Sequence, residues 1–340
     1  MFDPRELPLA RRLRRCDLRG LRLGGHGKRQ SARTAGLMFA SRDIRGTEMA
    51  KGISLHIGLN RLDPKHYAGW DGKLNACEND ARAMEAIAKT AGYRTGILLS
   101  EQATRGAVTD MLTMAARDLN SGDILLLTYS GHGSQVPDLD GDEIDALDET
   151  WCLYDGQMID DELYRVYGAI ADGVRVLILS DSCHSGTVAK VSYYEMAQAA
   201  GFAGNLDIAV AGRAATKGIS YAPKFLPQDI ALRTYEQNRA FYEAVGRAAK
   251  GAPGAESSDV AKASIRLISG CQDNQVSFDG AINSVFTAAL LLVWANGQFK
   301  GNYNDFHLQI QRKMLPTQSP NHYRTGKEDR EYDSQRPFTI

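Results

Sequence analysis

Two short segments of the 340-residue chain carry an imidazole and a thiol in settings that suit nucleophilic chemistry. Residues 129–133 (YSGHG) come directly after an apolar run that reads as a strand, and residues 181–186 (DSCHSG) come directly after another. Because the carboxyl ends of neighbouring parallel strands meet at one edge of a sheet, we expect His132 and Cys183 to lie side by side there.

A thiol beside an imidazole is a nucleophile beside a general base. The imidazole can lower the pKa of the thiol from about 8.5, and the thiolate is the reactive form. Glycines around both residues allow a substrate backbone to come close, and they leave the amides of Gly133 and Cys183 as candidates for an oxyanion hole. A lone His or Cys after a strand is more often structural, but the two together favour a catalytic pair.

The elements that must position this pair follow an alternating pattern. Apolar runs predict strands, and stretches of helical composition predict helices, with Thr104 as a helix cap. The predicted strands are 53–59, 93–99, 123–129, 174–180 and 264–269, and the predicted helices are 76–91, 107–119, 228–250 and 283–295. Near-continuous apolar strands separated by helices predict an α/β fold whose parallel sheet is covered on both faces.

Composition excludes several classes of protein. A hydrophobic content of 43% rules out a mostly disordered, collagen-like or coiled-coil chain. The five cysteines are too few for a disulfide scaffold and odd in number, which predicts a reducing, cytoplasmic location. The longest apolar run, residues 285–295, is about half of what a membrane span needs, so it predicts a buried helix and no membrane span.

The formal net charge of −1 hides a basic N-terminal stretch. Residues 1–48 hold eleven Arg and one Lys against five acidic residues. The stretch is open to interpretation as a disordered arm, a basic patch for nucleic acid or membrane, a transit peptide, or translated sequence before a start at Met49. We favour a disordered extension or a wrongly assigned start. No aromatic residues are interleaved with the basic ones, so we expect no nucleic-acid partner.

The segments YSGHGSQ and DSCHSG resemble the two catalytic motifs of the metacaspases, which are caspase-like cysteine peptidases of family C14 in clan CD. The separation of His132 and Cys183 agrees with the spacing of about 50 residues typical of caspases. Residues 267–274 (LISGCQDN) and 297–303 (GQFKGNY) resemble the small-subunit region of type I metacaspases. The resemblance extends from residue 52 to about residue 322.

This resemblance implies a caspase-like three-layer α/β/α sandwich with a mostly parallel central sheet. Residues 49–186 would form the large-subunit region with the catalytic dyad, and residues 187–262 a linker or insertion. Residues 263–340 would form a small-subunit-like region that completes the same domain. The type I relatives favour a monomer.

The implied activity is that of a cysteine endopeptidase that cleaves after Arg or Lys in protein or peptide substrates. Cys183 would attack the carbonyl carbon, His132 would protonate the leaving amine, and Gly133 and Cys183 would hold the oxyanion. The positions that match the family's acidic specificity pocket are Cys77, Asp80, Ser130 and Asp181. Two carboxylates in a narrow pocket favour a cation, although either acid alone would be read as a surface or loop residue.

Self-processing is a further hypothesis, based on exposure and charge. Its candidate sites are basic residues of the 187–262 segment, such as Arg213, Arg247, Lys250 and Lys262.

An acidic group at residues 138–149, followed by Asp160 and Asp161, offers hard oxygen ligands for calcium. In calcium-dependent relatives the matching ligands would be Asp148, Asp160 and Asp161, together with an Asp at a position that Lys190 occupies here. A lysine cannot ligate calcium, so a solvated acidic loop is an equal alternative to a calcium site. We expect no cofactor to be required for the chemistry itself.

Two other functions compete with this one. The chain could be a catalytically silent adaptor that keeps the fold as a binding module, which the presence of both dyad residues disfavours. It could also be a relative from the same clan with Asn or Asp specificity, which the two pocket acids disfavour.

Overall fold

The structure, a computed structural model, describes residues 50–137, 147–183, 222–250, 261–272, 275–314 and 318–340, without the side chains of 249 and 250. All of these residues belong to one compact unit, Ser41–Ile340. The expectations for residues 1–48, for Lys190 and for Arg213 lie outside the described residues.

A six-stranded sheet forms the centre of the fold. Its strands run in the order β2-β1-β3-β7-β8-β9, and all neighbouring pairs are parallel except β8 and β9. Their bounds are β1 (Gly52–Gly58), β2 (Arg94–Leu99), β3 (Ile124–Ser130), β7 (Arg175–Asp181), β8 (Ser264–Ser269) and β9 (Asn321–Gly326). The predicted mostly parallel α/β sheet is therefore confirmed.

A small antiparallel sheet stands beside the point where β3 ends. Its strands are β4 (Gly133–Pro137), β5 (Leu147–Leu153) and β6 (Gly156–Ile159), in that order. Because β4 begins three residues after β3 ends, the turn between the two sheets carries His132. The sequence analysis did not predict this second sheet.

Helices cover both faces of the central sheet. They are α1 (Cys77–Thr90), α2 (Arg105–Asp118), α3 (Asp160–Gly168), α4 (Gln228–Gln237), α5 (Arg239–Lys250), α6 (Val285–Trp294), α7 (Tyr303–Gln311) and α8 (Arg330–Ser334). The Thr104 side chain accepts a hydrogen bond from the Ala107 amide at the start of α2, 3.2 Å away, as its sequence position predicts. No helix among the described residues combines the length and the apolar character that a membrane crossing requires.

The two faces of β3 explain why its first four residues, Ile124 to Leu127, are all apolar. Leu125 and Leu127 belong to the core cluster that includes residues of α2 and α3, whereas Ile124 and Leu126 belong to the cluster that includes residues of α1, α6 and α7. Successive side chains of a strand point to opposite faces. Both faces are covered, so these four positions all favour an apolar residue.

The prediction of a single helix over residues 228–250 is wrong, because the chain forms two helices there. The interruption is at Asn238, whose φ of −114° and ψ of 20° are not helical. Its side-chain amide donates to the carbonyls of His66, at 3.1 Å, and of Thr234, at 2.8 Å. An asparagine that bonds to nearby backbone groups competes with the helical ladder, which accounts for the break.

Leu127→Ala should destabilise the fold by about 2–5 kcal/mol, because the side chain is fully buried in the central strand and its removal leaves a cavity. Chemical denaturation monitored by circular dichroism measures the change. Met114→Ala, at an exposed position of α2, is the matched control. A loss below about 1 kcal/mol for Leu127→Ala would contradict this packing.

Candidate active site

The register between β3 and β7 brings the two chemical motifs together. The last residues of these strands, Ser130 and Asp181, are direct partners in the parallel ladder. His132 and Cys183 each follow two residues later. A Cβ atom at Gly133 would lie 2.1 Å from the Cys183 carbonyl oxygen, so the two loops approach as closely as they do because this residue is glycine.

The imidazole of His132 is buried and held by its surroundings. Its Nε2 lies 2.9 Å from the Gly72 carbonyl oxygen, and the Trp70 ring packs against it with centroids 4.8 Å apart. A carbonyl can only accept a hydrogen bond, so Nε2 carries the proton and Nδ1 has the free lone pair. Among the described residues, no group forms a hydrogen bond with Nδ1.

The pKa of His132 is lowered to about 4, chiefly by burial. The nearby cation Lys224 acts in the same direction, and backbone contacts with Gly72 and Phe225 act in the opposite one. The ring is therefore neutral at pH 7, which is the state that can accept a proton from a thiol.

The thiol of Cys183 faces a backbone segment that follows β8. Its sulfur is hydrogen-bonded to the Ser277 amide, at 2.5 Å, and lies 3.4 Å from the Ser277 carbonyl oxygen. Cys183 is fully buried in an apolar cluster with Cys271, Val276 and Phe278.

The amides of Gly133 and Cys183 converge on one oxygen atom. Both donate to the carbonyl oxygen of Lys224, each at 3.1 Å. Two convergent backbone donors beside a nucleophile form the arrangement that stabilises an oxyanion during acyl transfer. The sequence analysis named these two amides, but it did not identify Lys224.

The Lys224 side chain is fully buried between the two acids that the sequence analysis assigned to a pocket. Its Nζ lies 2.8 Å from Asp181 Oδ2, 3.4 Å from Asp80 Oδ2 and 2.8 Å from Ser130 Oγ. Burial alone lowers the pKa of Lys224, but Asp181, Cys77 and Asp80 outweigh it and hold the pKa well above its usual value. The four predicted pocket residues thus surround one lysine.

The pocket acids also accept hydrogen bonds from other groups, so neither depends on the lysine alone. Asp80 is buried in the first turn of α1, and Ser130 donates to it at 2.7 Å. Burial raises the pKa of Asp80, and Asp181 raises it further, while Lys224 lowers it. The neighbouring carboxylates are therefore repulsive unless a cation lies between them.

Three residues that the sequence analysis missed complete the pocket. Asn283 and the Ser284 amide donate to Asp80 at 2.9 and 3.0 Å, while the hydroxyls of Ser277 and Ser284 donate to Asp181. Ser284 is also the N-cap of α6. A cap signal in the sequence shows where a helix begins. It does not show that the first residues of this helix contact Asp80 and Asp181.

The predicted calcium ligands lie away from this pocket, on the second sheet and the helix that follows it. Asp148 is on β5, and Asp160 and Asp161 begin α3. The pKa of Asp160 is raised to about 8, chiefly by burial and also by the nearby Asp148, Asp161 and Glu149. Within the described ranges, no group of three or more His, Cys, Asp or Glu side chains is arranged to hold a metal ion.

Comparison with known proteins places these features in a family. Residues 62–333 match the peptidase C14 family, described as the caspase domain. The chain is 29% identical over 294 residues to metacaspase-1A of Aspergillus terreus, which covers 78% of this chain and 69% of that protein. It is 29% identical over 268 residues to metacaspase-1 of Schizosaccharomyces pombe, which covers 72% of this chain and 59% of that protein.

A solved structure is more similar in sequence than these relatives. The crystal structure of a protein from Geobacter sulfurreducens is 50% identical, with a TM-score of 0.72. The match covers 85% of this chain and 99% of that one. With residues 62–333 matched by the caspase domain, the resemblance predicted from the two motifs is confirmed.

We predict that the His132 imidazole protonates with a midpoint near pH 4 in the full chain, whereas an ordinary histidine titrates near 6.5. Burial disfavours the charged ring, so acid must overcome that cost. NMR titration of a sample labelled at histidine measures the midpoint, and the signal is assigned by its loss in His132→Gln. A midpoint at or above pH 6 would contradict the burial described above.

Proposed function

Because the chain belongs to the caspase-domain family of cysteine peptidases, we propose that it is an endopeptidase that cleaves proteins and peptides after Lys or Arg, with Cys183 and His132 as its dyad. One observation carries the proposal. The ammonium of Lys224 lies between Asp80 and Asp181, while the carbonyl of the same residue accepts from two amides next to the thiol.

The proposed chemistry follows from the atoms around the carbonyl. Neutral His132 takes the thiol proton through Nδ1, and the Cys183 thiolate adds to the carbonyl carbon. The Gly133 and Cys183 amides hold the oxyanion. The imidazolium then protonates the leaving amine, and water hydrolyses the acyl-enzyme with the same imidazole as base. Gly72 keeps the proton on Nε2 throughout, so that Nδ1 stays the working nitrogen.

The proposed specificity follows from charge. Asp80 and Asp181 are buried, so an Asp side chain in the pocket would add a third carboxylate to two that already repel each other. An Asn side chain would leave both acids without a cation. Lys and Arg alone among the common side chains supply the missing charge, which favours this specificity over that of an Asn- or Asp-specific relative.

A catalytically silent adaptor is the second candidate. The adaptor requires neither a buried neutral imidazole nor two convergent amides, and both are present beside a thiol. We therefore prefer the enzyme.

Two parts of the proposal concern the state of the protein rather than its chemistry. A reducing, cytoplasmic location suits a thiol nucleophile. Of the four cysteines among the described residues, Cys77, Cys152, Cys183 and Cys271, none forms a disulfide. We also propose that the working protein is a monomer, which sedimentation of the active enzyme tests.

Short fluorogenic peptides that end in Arg or Lys should be hydrolysed, and those that end in Asp or Asn should not. Cys183→Ala should abolish hydrolysis. Asp181→Asn should lower kcat/KM for the Arg and Lys peptides about 10- to 100-fold, since a charged hydrogen bond contributes roughly 1.5–3 kcal/mol. The assay uses the full-length protein and compares initial rates of hydrolysis.

The matched control for this assay is Asp110→Asn, which removes an exposed acid on α2. It should leave every rate unchanged. Equal hydrolysis of Arg and Asp peptides, or hydrolysis that survives in Cys183→Ala, would contradict the proposal.

Calcium is proposed as a modulator and not as part of the bond-breaking step. The support is the repulsion among Asp148, Asp160 and Asp161, which a divalent cation would relieve. Calcium should raise the Tm of the wild-type chain, since a ligand at about 100 times its Kd contributes about 2.7 kcal/mol. Asp160→Asn should abolish that response, and Asp110→Asn should keep it. Equal Tm values with calcium and with chelator would contradict the proposal.

A further inference from the structure

Tyr129, the first residue of the YSGHG segment, makes a contact that the proposed chemistry does not use. It is the second-to-last residue of β3, and its ring is buried. Its hydroxyl donates to the carbonyl of His132 at 2.7 Å and lies 3.0 Å from the carbonyl of Cys152. Burial raises the pKa of Tyr129 well above its usual value, so the hydroxyl keeps its proton at pH 7. The phenol is therefore a donor to the residue that carries the general base.

The backbone and the side chain of His132 are both held. Its carbonyl accepts from the Cys152 amide on β5, at 2.9 Å, as well as from the Tyr129 hydroxyl on β3. Its Nε2 is bonded to the Gly72 carbonyl. A general base must lie within hydrogen-bond reach of the proton that it takes. The contacts at the two ends of His132 fix where Nδ1 lies.

The turn between β3 and β4 fits closely around the phenol. A Cβ atom at Gly131 would lie 2.6 Å from the Tyr129 hydroxyl oxygen and 2.9 Å from Cζ of the same ring. The φ of Gly131 is not positive, so the glycine is required for space and not for backbone conformation. A side chain at position 131 would push the turn away from the hydroxyl.

The same ring is connected to the loop that carries the thiol. It stacks on the Trp151 ring, with centroids 4.5 Å apart and an angle of 4° between the planes. Trp151 Nε1 donates to the Ser180 hydroxyl at 3.0 Å, and that hydroxyl lies 3.1 Å from the hydroxyl of Ser182. Ser182 directly precedes Cys183. Buried contacts thus connect Tyr129 on β3 with the residue before the nucleophile.

We infer that Tyr129 and Trp151 are a positioning pair that fixes the His132 imidazole relative to the Cys183 thiol. The inference rests on the proposed function, because the placement of the two groups matters for hydrolysis only if they are a catalytic dyad. The pair acts through the turn and the strand end that carry the dyad. It names a role for two residues that the sequence analysis did not assign to the site.

Packing alone does not account for the hydroxyl of Tyr129. A phenylalanine would fill the same space and present the same ring to Trp151. Burying a hydroxyl is unfavourable unless it forms a hydrogen bond, so a residue that only filled the core would favour phenylalanine. The hydroxyl is bonded to the His132 carbonyl, which is the contact that positioning requires.

Tyr129→Phe should lower kcat for an Arg peptide about tenfold and leave KM unchanged, because a displaced general base slows the chemical step without altering the acidic pocket. Tyr332→Phe is the matched control. Its ring is equally buried, and its hydroxyl donates to the Val176 carbonyl near the start of β7, at 3.0 Å. The two variants should have similar Tm values. Equal kcat values in the two variants would overturn the inference and leave the proposed function standing.

Gly131→Ala tests the same contact while the phenol keeps its hydroxyl. The added methyl group should displace the turn and lower kcat about tenfold or more. Gly106→Ala, on α2, is the matched control, because a Cβ atom there meets no other atom within 4 Å. It should keep the wild-type rate. An unchanged kcat in Gly131→Ala would overturn the inference.

Trp151→Phe keeps an aromatic ring against Tyr129 but removes the N–H that bonds to Ser180. It should also lower kcat severalfold. Because the pair acts as one unit, the double variant with Tyr129→Phe should lose less activity than the product of the two single losses. Losses that multiply would overturn the joint role of the two residues.

The titration of the His132 ring gives a readout that does not depend on activity. In Tyr129→Phe the imidazole is held less firmly and becomes accessible to water, so its midpoint should rise from near pH 4 toward 6.5. Tyr332→Phe should keep the wild-type midpoint. An unchanged midpoint in Tyr129→Phe, measured by NMR, would overturn the inference whether or not peptides are hydrolysed. A folded wild-type chain that hydrolyses no peptide would overturn the proposed function, and the titration would still decide whether the pair places the imidazole.

Discussion

Two carboxylates buried in one pocket require a cation, and the candidate site is arranged around that requirement. Asp80 and Asp181 come from different elements, α1 and the end of β7, and each accepts hydrogen bonds from serine hydroxyls. Those neutral donors satisfy oxygens but do not cancel charge. Lys224 supplies the charge in the resting molecule. Removing one partner of a buried ion pair costs about 3–5 kcal/mol, so the pocket strongly favours being filled.

The same demand accounts for the residue that fills the pocket. A pocket that binds a lysine well enough to select substrates also binds a lysine of its own chain, once a segment reaches it with the right backbone direction. Residues 222–226 meet this condition through hydrogen bonds to Ser277, Asp279 and Gly133. The contacts of Lys224 are therefore those that the proposed enzyme would use for the Lys or Arg side chain of a substrate.

The fold was largely predictable because its signals are local or periodic. The apolar strands β1, β3, β7 and β8 and the cap at Thr104 follow from the residues themselves. The small antiparallel sheet was not predicted, because β4 and β6 have only five and four residues and are too short to show a clear period, although Asp-Gly dipeptides typical of turns lie between the strands. The break at Asn238 was also missed, since its cause is a hydrogen bond to the carbonyl of His66, far away in the chain.

For the candidate site, the sequence by itself determined the chemical groups: a thiol and an imidazole on glycine-flanked strand ends, two amides and two acids. Short motifs in the sequence reveal these groups, because the chemistry of each group can be supplied by only a few residue types. Only the tertiary structure decided what those groups contact. Lys224, Ser277 and Ser284 reach the pocket from segments more than 40 residues from Asp181 in the chain. Nothing local distinguishes them, because their role arises from packing between distant segments and not from their neighbours in sequence.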